Sequence, residues 1–266
     1  MKLTMLGTGN AQAVECYNTC FIMENEGELL LVDGGGGNGI FGQLKAAKYD
    51  WKDIHHIFVT HKHLDHIMGI LWMIRFITNG MGQGKYTGEA WIYAHDEVIQ
   101  ILRDMSKRLL QEKQYRMIDE RLHLVILEDG MEFDVLGCKA VTFDIHSTKA
   151  KQYGFSLQYG KKRITCCGDE PYHESEKQYA EGCDWLLHEA FCLHSDAGRF
   201  KPYEKHHSTV KDACELAEQL GVKNLILYHT EDSDKGTRKQ RYEAEGKKFY
   251  SGNLWIPDDL ESLEIS

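Results

Sequence analysis

Val59-Thr60-His61-Lys62-His63-Leu64-Asp65-His66 places three imidazoles and one carboxylate between positions 61 and 66. Side chains packed this tightly repel one another once the imidazoles are protonated, and they cannot all turn toward an apolar core. A bound cation relieves both problems. His61 and His63 stand two apart on a segment leaving a strand, so alternation sends both rings to one side. Asp65 and His66 follow at once and face a second position nearby. Catalytic zinc takes three protein ligands and keeps one position for water. Four donors exceed one such site and suit two sites sharing a loop, with further ligands from elsewhere in the chain.

Those ligands are sought where strands stop. His146 ends Val141-Thr142-Phe143-Asp144-Ile145, Asp169 ends Ile164-Thr165-Cys166-Cys167-Gly168, and His229 ends Leu225-Ile226-Leu227-Tyr228. Each closes an apolar run that carries its last residue to one rim of the sheets. A carboxylate can bridge two ions, and Asp169 fits that role. The expected inventory is His61, His63 and His146 on one ion, Asp65, His66 and His229 on the other, and Asp169 shared. The ions expected are two divalent cations, Zn2+ first, with Mn2+ or Fe2+ also accepted by His and Asp donors.

The rest of the chain reads as α/β. Its 266 residues, 42% hydrophobic, are ample for a core, and nothing marks a boundary, so residues 1–266 read as a single domain. Strands are predicted at Lys2–Leu6, Thr19–Met23, Glu28–Val32, His56–Thr60 and Ala90–Ala94. Further strands are predicted at Leu122–Leu127, Glu132–Val135, Ala140–Ile145, Phe155–Tyr159, Arg163–Cys167, Trp185–Leu187 and Asn224–Tyr228. Helices are predicted at Ile40–Lys48, Ile67–Ile77, Asp96–Leu110, near Glu174–Glu181 and at Thr209–Gly221. Strands lead in both halves with helices interleaved, which implies two sheets inside and helices outside.

A net charge of −10 gives no general footprint for nucleic acid. RNA binding would need a local patch, such as Lys149, Lys151, Lys161, Lys162 and Arg163 with Arg199, Lys201 and Lys205; no DNA partner is expected. None of the eight cysteines forms a CxxC pair, so buried thiols in a reducing, cytoplasmic setting are expected. No apolar run reaches the ~18–20 residues of a membrane span, so no membrane partner is expected. The run Asp33-Gly34-Gly35-Gly36-Gly37-Asn38-Gly39 does not match G-x-G-x-x-G and reads as a strand-to-helix turn rather than a phosphate cradle. Asp33, at the strand end, is placed to brace a metal-binding His.

Taken together, His-x-His-x-Asp-His after a strand and His146, Asp169 and His229 at strand ends resemble the metallo-β-lactamase superfamily. The closer likeness is to its ribonuclease Z-like branch. It is carried by Leu6-Gly7-Thr8-Gly9-Asn10-Ala11, Leu31-Val32-Asp33-Gly34-Gly35, His188-Glu189-Ala190-Phe191 and His207-Ser208-Thr209. Phe191 stands where that branch has Thr, and Leu64 where it usually has Gly. The resemblance implies an αββα four-layer sandwich with a dinuclear metal site at one rim, and a homodimer. It also implies hydrolysis of a phosphodiester, in RNA or a small molecule, through a hydroxide shared by the two metals. Asp65 would ligate and orient that hydroxide, His207 would serve the phosphate or the leaving oxygen, and Glu189 would hold His207. Enzymes of this branch that process tRNA carry a protruding arm, often between the positions of His146 and Asp169. Here these are 23 residues apart, filled by two short strands, so the tRNA reaction is disfavoured. The competing readings are a lactone, ester or thioester hydrolase on the same fold, and a non-catalytic RNA-binding relative.

Overall fold

In the computed structural model, which describes residues 1–265, the first half runs β1 (Lys2–Gly7), β2 (Cys20–Asn25), β3 (Glu28–Val32), α1 (Ile40–Ala46), β4 (His56–Phe58) and α2 (Leu64–Gly82). It continues through β5 (Ala90–Ala94), α3 (Asp96–Leu109), α4 (Glu112–Tyr115) and β6 (Leu122–Ile126). The second half runs β7 (Glu132–Val135), β8 (Cys138–Asp144), β9 (Tyr153–Tyr159), β10 (Lys162–Cys166), α5 (Lys177–Ala180) and β11 (Trp185–Glu189). Then come α6 (Ala197–Phe200), α7 (Val210–Gln219), β12 (Asn224–Tyr228), α8 (Lys235–Gly246), β13 (Asn253–Trp255) and β14 (Ser262–Glu264).

The strands form two seven-stranded sheets, ordered β14-β1-β2-β3-β4-β5-β6 and β13-β12-β11-β10-β9-β8-β7. Each combines antiparallel hairpins with a parallel run: β3 to β6 in one, β10 to β13 in the other. Three apolar layers account for the stack. One lies between the sheets, where Phe21, Phe58, Phe155, Leu157, Leu187 and Tyr228 meet. A second packs the first sheet under α2 and α3, and a third packs the second sheet under α7 and its neighbours. Strands such as β1 and β11 are buried on both faces, which is why they read as near-continuous apolar runs rather than alternating ones. The fold is the expected α/β sandwich of four layers, helix, sheet, sheet, helix.

All eight cysteines are buried and unpaired. Among the described residues, no helix is long and apolar enough to cross a membrane. Strands β13 and β14 and helix α8 were not expected. β14 pairs with β1 across the whole chain, a partner that no local pattern announces. In α8 only Arg238, Tyr242 and Gly246 are buried, too few to give an apolar stripe. Helix α2 starts at Leu64, three residues before the expected start, so Asp65 and His66 lie on its first turn.

Candidate metal centre

The parallel strands of both sheets deliver their carboxyl ends to one rim, the usual place for a site in α/β folds. β3 ends at Asp33, β4 leads into the 59–66 loop, β10 into Asp169, and β12 into His229. Asp33 and His229 adopt left-handed backbone conformations, φ 56° and 58°. Such geometry is uncommon for non-glycine residues and gathers at functional sites.

Two groups of donors converge there. Ligand atoms of His61, His63 and Asp169 lie within 4.8 Å of one another, and so do those of Asp65, His66 and His229. Asp169 faces both. Its Oδ2 is 3.6 Å from His61 Nε2, 3.3 Å from His66 Nε2 and 3.4 Å from His229 Nε2. Five of the six are buried and His63 is half-buried.

The far sides of the His61, His66 and His229 rings are anchored, which turns their other nitrogens inward. His66 Nδ1 meets Asp33 Oδ2 at 2.7 Å, and its buried Nε2 has no hydrogen-bond partner. Thr60 Oγ1 donates to the same Asp33 oxygen at 2.8 Å and sits 2.9 Å from His61 Nδ1, so it is free to accept that N–H. Thr19 repeats the arrangement. Its hydroxyl donates to the Gly9 carbonyl at 3.0 Å and stands 3.1 Å from His229 Nδ1. Asp33 Oδ1 also accepts the Thr60 N–H at 2.9 Å. Bracing of this kind fixes tautomer and ring direction in metal sites. Inward-turned imidazole nitrogens, an orphaned Nε2 and a shared carboxylate together form a donor set that fits divalent cations.

Electrostatics agree with that reading. Burial pushes His61 and His63 down, and His229 is brought to about 4 by the same cause. Burial also opposes protonation of His66, but the carboxylates of Asp65, Asp33 and Asp169 outweigh it and raise that ring well above its ordinary range. Asp169 is held well below the usual carboxylate range: burial opposes this, and His61, His229 and His66 prevail. The cluster therefore keeps most of its imidazoles neutral and its carboxylates charged, the forms that bind metal.

The glycine run proves to be a packing surface. A Cβ on Gly69 would stand 1.9 Å from the Gly34 carbonyl oxygen, and one on Gly34 would stand 2.6 Å from the Ile70 nitrogen. Backbone contact is sealed by Gly34 N–H to the His66 carbonyl and Gly69 N–H to the Gly35 carbonyl, each 2.9 Å. The turn after β3 thus clamps the first turns of α2, and with them Asp65 and His66.

His207 and Glu189 sit beside this cluster. Glu189 is fully buried and its Oε1 accepts the Ser208 N–H. Its Oε2 is 3.6 Å from His207 Nδ1, beyond hydrogen-bond length, and neither atom has another partner. The His207 ring stacks on Phe191 at 4.9 Å and lies 5.3 Å from the His229 ring. The unexpected Phe191 therefore forms the wall behind His207. His188 faces away, with Nδ1 2.7 Å from the Glu189 carbonyl oxygen.

His146 joins neither group, so the first triad is His61, His63 and Asp169 rather than one completed by His146. It is exposed and left-handed at φ 56°. Asp144 Oδ1 accepts its N–H at 2.7 Å, and its ring packs edge-on against His173 at 5.0 Å. Gln152, which no motif announced, is buried against the triad instead. It donates to Asp169 Oδ1 at 2.6 Å, and its amide nitrogen lies 3.1 Å from His61 Nδ1.

Comparison with known proteins meets the geometry at several points. A ribonuclease Z of Nitrosopumilus maritimus (strain SCM1) is 26% identical, with all of both chains covered, in an alignment that spans 309 positions. Since this chain has 266 residues, that relative carries segments this chain lacks. Among solved structures, the metallo-β-lactamase fold protein YhfI from Bacillus subtilis superposes with a TM-score of 0.80 at 17% identity, covering 98% of each chain. Zn2+-bound PqqB from Methylobacterium extorquens does so at 0.77 and 14%, covering both chains fully. The fold is thus the metallo-β-lactamase fold, and the ribonuclease Z-like resemblance is supported over the whole chain. A narrower assignment comes from a family model that matches residues 1–249, nearly the entire fold and every donor described above: the chain belongs to the family of the anti-Pycsar protein Apyc1.

Proposed function

We propose that the chain is a metal-dependent phosphodiesterase acting on a small phosphodiester. Asp169 carries the reading: one carboxylate oxygen lies within 3.6 Å of imidazole nitrogens from both donor groups. A shared ligand of this kind suits two cations a few ångströms apart. His61, His63 and Asp169 would hold one, and Asp65, His66, His229 and the same Asp169 the other; His146 stays outside this set. When bound, such ions supply Lewis acidity toward the phosphoryl group and make water a nucleophile at neutral pH.

The chain's own residues supply the rest. Asp65, buried on the first turn of α2, is positioned to accept a proton from attacking water. His207 stands beside His229 with Nδ1 toward Glu189 Oε2, so a proton on Nδ1 is favoured by that carboxylate. To serve the leaving oxygen as an acid, the ring would carry a second proton on Nε2, facing the substrate, while Nδ1–H stays toward Glu189. Phe191 excludes water from one face of that ring. The His207 and Glu189 pair would supply an acid to the alkoxide that a diester expels, a need not shared by a thioester, whose thiolate leaves unaided; the ribonuclease Z-like resemblance favours a diester over a lactone or ester. The pair also counts against a non-catalytic RNA-binding role, which would need neither group.

Two observations support a small substrate over precursor tRNA. Only the β9–β10 hairpin separates His146 from Asp169, and the ribonuclease Z relative needs 309 aligned positions against 266 residues. Zinc is the proposed metal, in line with Zn2+-bound PqqB, although His and Asp donors also accept Mn2+ and Fe2+. Eight buried, unpaired thiols suit the reducing cytoplasm. A homodimer is proposed on the family resemblance.

The test is turnover of bis(p-nitrophenyl) phosphate, a lactone and a tRNA precursor in parallel by metal-loaded protein. Turnover of the diester, with no accurate precursor cleavage and no lactone opening, supports the reading. Accurate precursor cleavage refutes its substrate class, and lactone opening alone refutes its chemistry.

A further inference from the structure

Between His146 and Gln152 the chain crosses the rim of the centre, and its path there is fixed from two sides. Thr148 N–H donates to Glu170 Oε2 at 3.1 Å, and Thr148 Oγ1 meets His206 Nδ1 at 2.9 Å. Glu170 directly follows Asp169 and is itself buried. This tether aims Lys149 at the site. Its ammonium stands 3.5 Å from His207 Nε2.

An ammonium in this place has little to bond to. The nearest carboxylate oxygen is Glu170 Oε1 at 3.8 Å, too far for a hydrogen bond. That oxygen has no hydrogen-bond partner either. Among the described residues, the nitrogen within reach is an imidazole atom of a ring already assigned to the leaving group. The other basic residue of that stretch is engaged: Lys151 pairs with Asp96 Oδ1 at 2.7 Å. Lys149 points a partly exposed cation at His207, the residue beside His229.

We infer that Lys149 binds a non-bridging oxygen of the substrate's phosphate, with His207 on the adjacent oxygen. This rests on the phosphodiesterase reading and makes Lys149 the residue that selects an anionic ester over a neutral one. A lysine suits the task as a point charge with three rotatable donors, able to follow the phosphate as it becomes trigonal-bipyramidal. The contact is made to the bound ester and to the transition state alike, so it governs KM rather than kcat.

Three proteins test this: wild type, Lys149→Ala and Lys149→Arg, each metal-loaded, with metal content measured. Calorimetric titration with inorganic phosphate reads binding, and KM and kcat are measured on bis(p-nitrophenyl) phosphate. Lys149→Ala is expected to weaken phosphate binding and raise KM, each about ten-fold, with kcat changed little and metal content unchanged. Lys149→Arg is expected to recover most of the loss, because the charge is restored. Phosphate affinity and KM within about two-fold of wild type in Lys149→Ala overturn the inference, as does a loss of metal in that variant that accounts for the effect. Wild-type protein that binds phosphate through Lys149 yet turns over no diester leaves Lys149 as an anion site and refutes the phosphodiesterase reading instead. Wild-type protein that neither binds phosphate nor turns over the diester refutes both.

Discussion

Asp33 Oδ2 lies 2.7 Å from His66 Nδ1 and 2.8 Å from Thr60 Oγ1, so one carboxylate steers an imidazole of each donor group. Asp33 is not itself placed to ligate. Its loss should act through the rings it orients, and partners of this kind typically contribute 10–100-fold in metal affinity. Asp33→Ala is therefore expected to weaken metal binding by about 10–100-fold while the fold persists. Competition with a chromophoric chelator measures this, and unchanged affinity would show that the two rings are held by other contacts.

Gly34 and Gly69 meet backbone to backbone, and their contact seats the first turns of α2. Gly69→Ala forces a methyl group to 1.9 Å from the Gly34 carbonyl oxygen unless the helix moves. Overpacking of this kind costs about 1–3 kcal/mol. Denaturant unfolding should show that loss, and metal affinity should fall with it because Asp65 and His66 ride on the displaced turn. Gly82→Ala, on the same helix with open space at its Cβ position, should show neither effect.

Glu176 gives a pH dependence that does not involve the metal donors. Burial pushes its carboxyl up to about 8. Oε1 accepts the His173 N–H at 2.7 Å, and Oε2 has no hydrogen-bond partner. Between about pH 4.5 and about pH 8 the unfolded chain has lost this proton while the folded chain keeps it. The folded state then binds more protons, so this group's contribution makes stability fall as pH rises through that window. Glu176→Gln removes the contribution. Comparing urea unfolding at about pH 5 and about pH 8.5, the variant should lose less stability than wild type, by up to a few kcal/mol. Equal losses in both proteins would mean that Glu176 ionises normally.

His207 faces Glu189 Oε2 at 3.6 Å and stacks on Phe191. If it serves the leaving oxygen, His207→Ala should lower kcat by about 10²–10⁴-fold on a diester with an alkyl leaving group. Glu189→Gln should lower it less, because the ring keeps its Phe191 wall. Bis(p-nitrophenyl) phosphate, whose leaving group departs unaided, should show a much smaller gap for His207→Ala. A His207→Ala enzyme with unchanged kcat on the alkyl diester would remove the assigned role.

Much of this centre was legible before any coordinates, because metal chemistry leaves dense traces in sequence. His61, His63, Asp65 and His66 share six positions, and Asp169 and His229 each close an apolar run, so strand ends alone brought them to one rim. His146 stands apart from the two donor groups. It does follow β8, but Asp144 takes its N–H and the left-handed turn swings its ring to His173, a local competition that apolar patterning does not record. Gln152 was illegible for a different reason: a single amide has no spacing signature, and its role comes from tertiary contact with Asp169 and His61. The Gly34 run could be read as a turn, but its contact with Gly69 joins residues 35 positions apart. Strand β14 and helix α8 share that cause, since the first depends on a distant partner and the second buries too little to show a stripe.

Two cations sharing Asp169 are the centre of the proposed chemistry, and metal stoichiometry reads them most directly. Chelator-stripped protein should be titrated with Zn2+ while bound metal per chain and bis(p-nitrophenyl) phosphate turnover are recorded together. Two ions per chain, with turnover appearing as the second binds and neither retained in Asp169→Ala, is the expected result. One ion per chain, or diester turnover that persists in the fully stripped protein, would contradict it.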